Sequence, residues 1–385
     1  MSRRQILAVT VAACLSAVSA AQAQGTQQRQ SQTRAPATQY FVDVATITSP
    51  SMPGGFPIPG MGGGQNSNEF GNTRGMSQGK FVDLALVTRN RPGGTQGTHA
   101  IPPAFKLGAN LPLVPLTTTP RGEMDTPSER PRGRILIYWG CGEAVGNGQP
   151  RTIDLSSPNT DFARAFSGRF VPERGARAAP GWAVWPNPRD RKPVPRDGSL
   201  VGDHAVSGDG VPASLKFAIS ATHDFMPSID LTARGDLAGS VGMEWKPVSH
   251  ALGFFAAAMS SKGNDMILWT SSEQAEAGFG LLDYLPPASV ERWIRERVLL
   301  PASATSCRVP RGIFAGADGA MARLIAYGPE LNIVHPPRPA NPEWSARVRV
   351  KSTAMMLLGM ESGVRGGTGN PNPTNPLNIL RGILR

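Results

Sequence analysis

Polar and apolar residues alternate along much of the second half of the chain, and a period of two marks half-buried strands. Leu215-Lys216-Phe217-Ala218-Ile219-Ser220 alternates in this way, as do residues 241–245 and 254–259. Residues 266–270 form a short apolar strand after the Lys262-Gly263-Asn264-Asp265 turn. Strand spacing returns at 321–327 and 343–351. In the latter, Trp344, Ala346, Val348 and Val350 point one way, and Ser345, Arg347, Arg349 and Lys351 the other. Two stretches, 272–284 and 289–299, have helical spacing instead. In the second, Ser289 can cap, Val290, Trp293, Ile294 and Val298 line one face, and Glu291–Arg295 and Arg292–Glu296 pair four residues apart.

The first half is less regular. Arg134-Ile135-Leu136-Ile137-Tyr138-Trp139 is nearly all apolar, which predicts a strand buried on both faces. It runs into the tight turn Gly140-Cys141-Gly142-Glu143. Tyr40-Phe41-Val42-Asp43-Val44-Ala45 matches Lys80-Phe81-Val82-Asp83-Leu84-Ala85, so two similar strands flank a Gly-, Met- and Pro-rich loop at 51–79. Two copies are too few for a solenoid, and the loop is expected to be disordered. The fold class that follows is mainly β with a few helices, built as sandwich-like antiparallel sheets with disordered Gly/Pro-rich loops and termini. Its expected parts are a signal peptide at 1–23, a disordered leader at 24–37 and a β-rich N-terminal domain at 38–214. A β-sandwich-like domain at 215–361 with a helical insertion at 272–300 follows, then a flexible tail at 362–385.

The N-terminus adds a location. Arg3 and Arg4, an apolar stretch from 6 to 18 and Ala21-Gln22-Ala23 have the layout of a cleavable secretory signal. The stretch is too short for a stable membrane anchor. Val11-Ala12-Ala13-Cys14 would alternatively serve as a lipoprotein box, with anchoring at Cys14, but it leaves a very short apolar region before the cut. The expected location is therefore periplasmic or secreted. Cleavage at 23 leaves Cys141 and Cys307, which can pair in an oxidising compartment. Two separately buried thiols are the alternative.

Glu244-Trp245-Lys246-Pro247-Val248-Ser249-His250-Ala251-Leu252-Gly253-Phe254 resembles the fibronectin type III-like sandwich, whose members show Trp-x-Pro-Val followed by Ala-x-Gly and an aromatic. The resemblance covers about 30 residues, 244–271 with the following strand. It implies two packed sheets with the Trp between them, and it carries no activity. The layout as a whole, Arg134 to Glu143 above all, resembles uncharacterised exported proteins of Gram-negative bacteria.

Charge changes the picture of partners. There are 39 basic residues, 32 of them Arg, against 28 acidic, for a net +11. Such a surface favours anionic partners, although a GC-rich genome also raises Arg, Ala, Gly and Pro together. His-Glu-x-x-His, the phosphate-binding Gly-x-x-x-x-Gly-Lys-Ser/Thr and paired Cys-x-x-Cys are all absent from the sequence. Histidines at 99, 204, 223, 250 and 335 are dispersed, so no metal site and no cofactor are expected. Residues 169–197 hold six prolines, seven basic and three acidic residues, with Trp182 and Trp185 among them. These rings, with Arg174, Arg177, Arg189, Arg191 and Lys192, are the candidate binding residues. Their chemistry suits an anionic glycan, lipopolysaccharide or a membrane surface, and an exported protein is not expected to meet nucleic acid. The expected function is a non-enzymatic envelope or secreted protein that binds an anionic polymer or surface. The alternatives are an envelope hydrolase or thiol enzyme centred on Cys141 and Glu143, and a structural assembly subunit.

Overall fold

A computed structural model describes residues 35–49, 68–118, 133–157, 167–337 and 341–359. The signal segment at 1–23 with Cys14, nearly all of the leader, and the tail from 362 lie outside the described residues. The strands are β1 (Thr38–Thr48), β2 (Gly79–Thr88), β3 (Gly97–Ala100), β4 (Asn110–Pro115), β5 (Arg134–Trp139) and β6 (Arg151–Asp154). After them come β7 (Ala183–Trp185), β8 (Gly202–Gly208), β9 (Lys216–Ile219), β10 (Leu231–Arg234), β11 (Val241–Trp245) and β12 (Gly253–Lys262). The last five are β13 (Asp265–Thr270), β14 (Leu300–Pro301), β15 (Ser306–Val309), β16 (Ala320–His335) and β17 (Trp344–Leu358). One α-helix, α1 (Pro287–Arg295), is found among the described residues. Pro287 starts it with a preset φ, at a position whose N–H has no intrahelical partner. No described helix is long and apolar enough to cross a membrane.

The protein is mainly β, as its alternating sequence predicts. Fourteen strands form one sheet in the order β6-β5-β13-β12-β16-β17-β1-β2-β7-β4-β3-β8-β9, with β14 paired to β12; β10-β11-β15 form a second sheet. The large sheet is mixed, because β1 runs parallel to β17 and β5 parallel to β13. It also curls back on itself. Tyr40 on β1 lies 6.0 Å from Phe217 on β9, although five strands separate β1 from β9 in the sheet. Tyr40, Val42, Val44, Leu84, Val348 and Val350 fill the enclosed core together with Met243 and Trp245 of the small sheet. The opposite face of the large sheet is covered by α1 and by coil at 167–177 and 276–285.

The Tyr40 hydroxyl, His99 and His204 form a buried chain. Tyr40 Oη lies 2.9 Å from His99 Nδ1, and His99 Nε2 lies 2.9 Å from His204 Nδ1. His204 Nε2 lies 2.7 Å from the Leu200 carbonyl, which can only accept, so every proton along the chain points toward Leu200. Burial, and for His99 also its neighbour His204, lowers the pKa of both imidazoles and keeps them neutral.

Three sequence expectations need correction. Residues 272–284 do not form a helix. The buried Glu276 carboxylate accepts the Gly278 N–H at 3.0 Å, and Gly278 takes a left-handed φ of 84°, so the segment turns over the sheet instead. Residues 68–79, read as part of a disordered loop at 51–79, are ordered with a 3-10 turn at Asn72–Arg74, while 50–67 lie outside the described residues. Thr73 is fully buried and Arg74 is tied to three carboxylates, which anchors a stretch that looks featureless by composition. The boundary expected at 214/215 falls within the β8–β9 hairpin, and strands from both sides of it share the large sheet.

Candidate functional site

The two matching strands meet in register. β1 pairs antiparallel with β2 so that Asp43 faces Asp83, and β1 pairs parallel with β17 so that Asp43 also faces Arg349. On β16 the partner of Arg349 is Glu330, beside a bulge at 327–330. Strand side chains alternate between faces, so Asp83, Asp43, Arg349 and Glu330 form one row across four strands, on the face away from the enclosed core. The alternation that places Val348 and Val350 in the core is what places Arg347, Arg349 and Lys351 here.

Asp43 and Asp83 are fully buried. Arg349 grips Asp43 with two bonds, Nε to Oδ1 at 2.8 Å and Nη2 to Oδ2 at 2.6 Å. The Ala176 N–H donates to Asp43 Oδ2 at 3.1 Å, bringing the 167–177 coil down over the pair. Gly175 makes this approach possible, since a Cβ there would overlap Arg349 Nη2 and Asp43 Oδ2. Glu173 bonds both Arg74 and Arg349 at 3.2 Å. Asp283 bridges Arg74 Nε and Lys351 Nζ, each at 2.6 Å. Although burial works to raise the pKa of Asp283, these two cations hold it well below the usual carboxylate range. Tyr284 lies among the cations, with Lys351 Nζ 4.2 Å and Arg349 Cζ 4.5 Å from its ring centroid.

Asp83 behaves differently. Burial raises its pKa to about 7, with the neighbouring Asp43 charge adding to the rise, against hydrogen bonds from the Thr73 hydroxyl and from the Gly71 N–H at 2.9 Å. Between the unfolded value of 3.8 and this folded value, the native protein holds a proton that the unfolded chain has released. Stability from this group is therefore fully present below the unfolded pKa and is lost as pH rises to about 7. Asp83→Asn removes the dependence. Its stability relative to wild type is expected to climb by about 2–4 kcal/mol between about pH 4 and about pH 8, read by urea denaturation. A difference that stays level with pH would show that Asp83 ionises normally in the fold.

The candidate binding residues are only partly brought together. Trp182 is half-buried and stacks on Phe41 at 5.3 Å. Exposed Arg177 lies over its ring at 4.9 Å, and Arg347 lies 6.0 Å from the Phe41 ring. The result is a ladder of Arg177, Trp182, Phe41 and Arg347. Arg174 joins it through its carbonyl, which accepts from Arg347 Nη1 at 2.7 Å, while its own guanidinium pairs with Glu330 at 3.1 Å. Trp185 is fully buried, 6.4 Å from Phe105 in the enclosed core, and offers no face to a ligand. Arg191 pairs with Glu69 at 2.9 Å and Lys192 with Asp190 at 3.3 Å. Among the described residues the Arg189 guanidinium reaches Gln96, at 3.5 Å. Arg177 and Arg189 make no ion pair among the described residues.

Cys141 and Cys307 form a disulfide that joins the turn after β5 to β15. Cys141 then has no thiolate to attack with, and Glu143 is engaged by Arg308 at 3.0 Å and by the Ser240 hydroxyl at 2.8 Å. Among the described residues no group of three or more His, Cys, Asp or Glu side chains is placed to hold a metal ion. No family model matches the chain, and no curated protein or solved structure matches it.

Reading the sequence alone passed over the row Asp83–Asp43–Arg349–Glu330. One signal was available, the repeated Phe-Val-Asp, because two identical charged positions in otherwise apolar strands call for a shared partner. Arg74, Glu173 and Asp283 come from irregular coil, and no periodicity marks them.

Proposed function

We propose that this is an exported, non-enzymatic β-rich envelope or secreted protein that binds an anionic polymer or surface, with Arg177 and Trp182 as the contact. The observation that carries this reading is the exposed Arg177 guanidinium. It lies over the Trp182 ring with no acidic partner among the described residues, whereas Arg174, Arg191 and Lys192 of the same segment are paired. A guanidinium fixed by stacking loses less rotamer freedom on binding, and its edge is free for bidentate contact with phosphate or carboxylate. The Trp182 ring already carries both Phe41 and Arg177 against it. Recognition therefore runs through charge rather than sugar stacking, which favours the phosphates of lipopolysaccharide or the carboxylates of an anionic glycan. Export rests on the segment 1–23. We also read 244–271 as fibronectin type III-like, supported by Trp245 of β11 packing 5.5 Å from Phe254 of β12, across the two sheets.

Binding to purified lipopolysaccharide or peptidoglycan is expected to weaken as salt rises. Arg177→Glu and Trp182→Ala are each expected to lower affinity about tenfold, roughly the loss of one charge-assisted contact. Trp185→Ala is the contrasting variant, lowering thermal stability through a core cavity without acting on the contact. Variants at 177 and 182 that bind like wild type, or binding that ignores salt, would end this reading.

A further inference from the structure

The face that carries Lys351 holds three buried polar groups without a partner. Thr353 Oγ1, Tyr284 Oη and the Nε and Nη2 of Arg323 are sealed from solvent and make no hydrogen bond among the described residues. Thr353 is fully buried and Tyr284 is 4% exposed. Leaving such groups unmade costs about 1–3 kcal/mol each, so a native structure keeps them for a reason.

Register brings them together. On β16 and β17, Arg323 faces Met355, Ile325 faces Thr353 and Tyr327 faces Lys351. Strand alternation therefore puts Arg323, Thr353 and Lys351 on one face of adjoining strands, with Arg323 diagonal to Thr353. The Tyr284 ring lies 4.2 Å from Lys351 Nζ. Arg323 is also near enough to Lys351 to disfavour its charge, which contributes with burial to lowering the lysine to about 8. The charges do not balance locally. Asp283 is the carboxylate bonded to Lys351, and it is shared with Arg74, while Arg323 is bonded to none.

A cluster of N–H and O–H groups with surplus positive charge lacks acceptors. We propose that Arg323, Lys351, Thr353 and Tyr284 form a binding site for a small oxyanion of the phosphate type, set on the β16–β17 face beneath the coil at 281–285. A planar guanidinium, an ammonium and hydroxyls suit an acceptor-only tetrahedral anion, which takes several short charge-assisted bonds at once. The site does not depend on the Arg177–Trp182 contact, lies on different strands, and takes a single small anion rather than a polymer.

The test is thermal unfolding of the full chain in inorganic phosphate against sodium chloride of equal ionic strength. Phosphate at a hundredfold excess over its Kd is expected to raise the midpoint by about 3–5 °C, and further with the logarithm of its concentration. Arg323→Met is expected to abolish the phosphate-specific rise, and Thr353→Val to weaken phosphate binding about tenfold, each leaving the chloride response unchanged. If Arg323→Met yields no folded protein, Thr353→Val carries the same comparison. Arg177→Glu is expected to keep the full phosphate response, which separates this site from the surface contact. A wild-type midpoint that is the same in phosphate and chloride would overturn the proposal. So would a rise that survives both Arg323→Met and Thr353→Val.

Discussion

Arg349→Met is expected to destabilise the protein by about 3–5 kcal/mol, among the largest losses available to a single substitution here. The guanidinium holds a fully buried carboxylate by two short bonds, and removing it leaves the Asp43 charge with only Arg74 at 3.3 Å and the Ala176 N–H at 3.1 Å. Asp43→Asn leaves Arg349 with Glu173 as a partner and is expected to cost somewhat less. The double variant is expected to recover part of the loss, because no buried charge is then left without its two-bond partner and Met fills much of the volume. Urea denaturation of the wild type, both single variants and the double variant gives the coupling. Additive losses would mean that the pair acts as two independent groups. A loss below about 1 kcal/mol for Arg349→Met would mean that solvent reaches the row.

The second large effect is that of the disulfide. Cys141 and Cys307 are 166 residues apart, and closing a loop of that size is worth about 5 kcal/mol in the chain-entropy account. Measured values commonly fall below that account, so Cys141→Ser with Cys307→Ser is expected to cost about 3–5 kcal/mol. The native contacts there are expected to survive the change, since the Gly142 N–H donates to the Arg308 carbonyl at 2.9 Å and Glu143 meets Arg308 without help from the sulfurs. The effect should therefore show as a lower midpoint with an intact native spectrum. A reductant should reproduce it in the wild type and leave the double variant unchanged. Equal stability of oxidised and reduced protein would remove the bond from the account of what holds the small sheet.

Much of the architecture was legible where one face of a strand is buried. Trp344, Ala346, Val348 and Val350 show the β17 alternation directly, and all four are core residues. The run 134–139 and the stretch 241–245 match β5 and β11 to the residue. What could not be read was how strands pair across distance. Nothing local says that β1 lies beside β17 or that β5 runs parallel to β13, since those neighbours are set by how the whole sheet closes. The same limit explains the site. In the sequence Arg347, Arg349 and Lys351 carry no mark of burial, because charged residues opposite a core face are usually solvated. They are covered by coil whose glycines and carboxylates were read as loop or helix. Trp182 and Trp185 are three residues apart in a composition that hides their difference. One packs on the sheet under an arginine, and the other fills the core.

The parallel contact of β1 with β17 has a consequence for how the chain is made. The residues it joins, Asp43 and Arg349, are 306 positions apart. The middle of the sheet cannot assemble until nearly the whole described chain has emerged, because closing so long a loop must precede any reward from pairing. A translocation channel that accepts only unfolded substrates would meet a chain whose central sheet cannot close until β17 arrives.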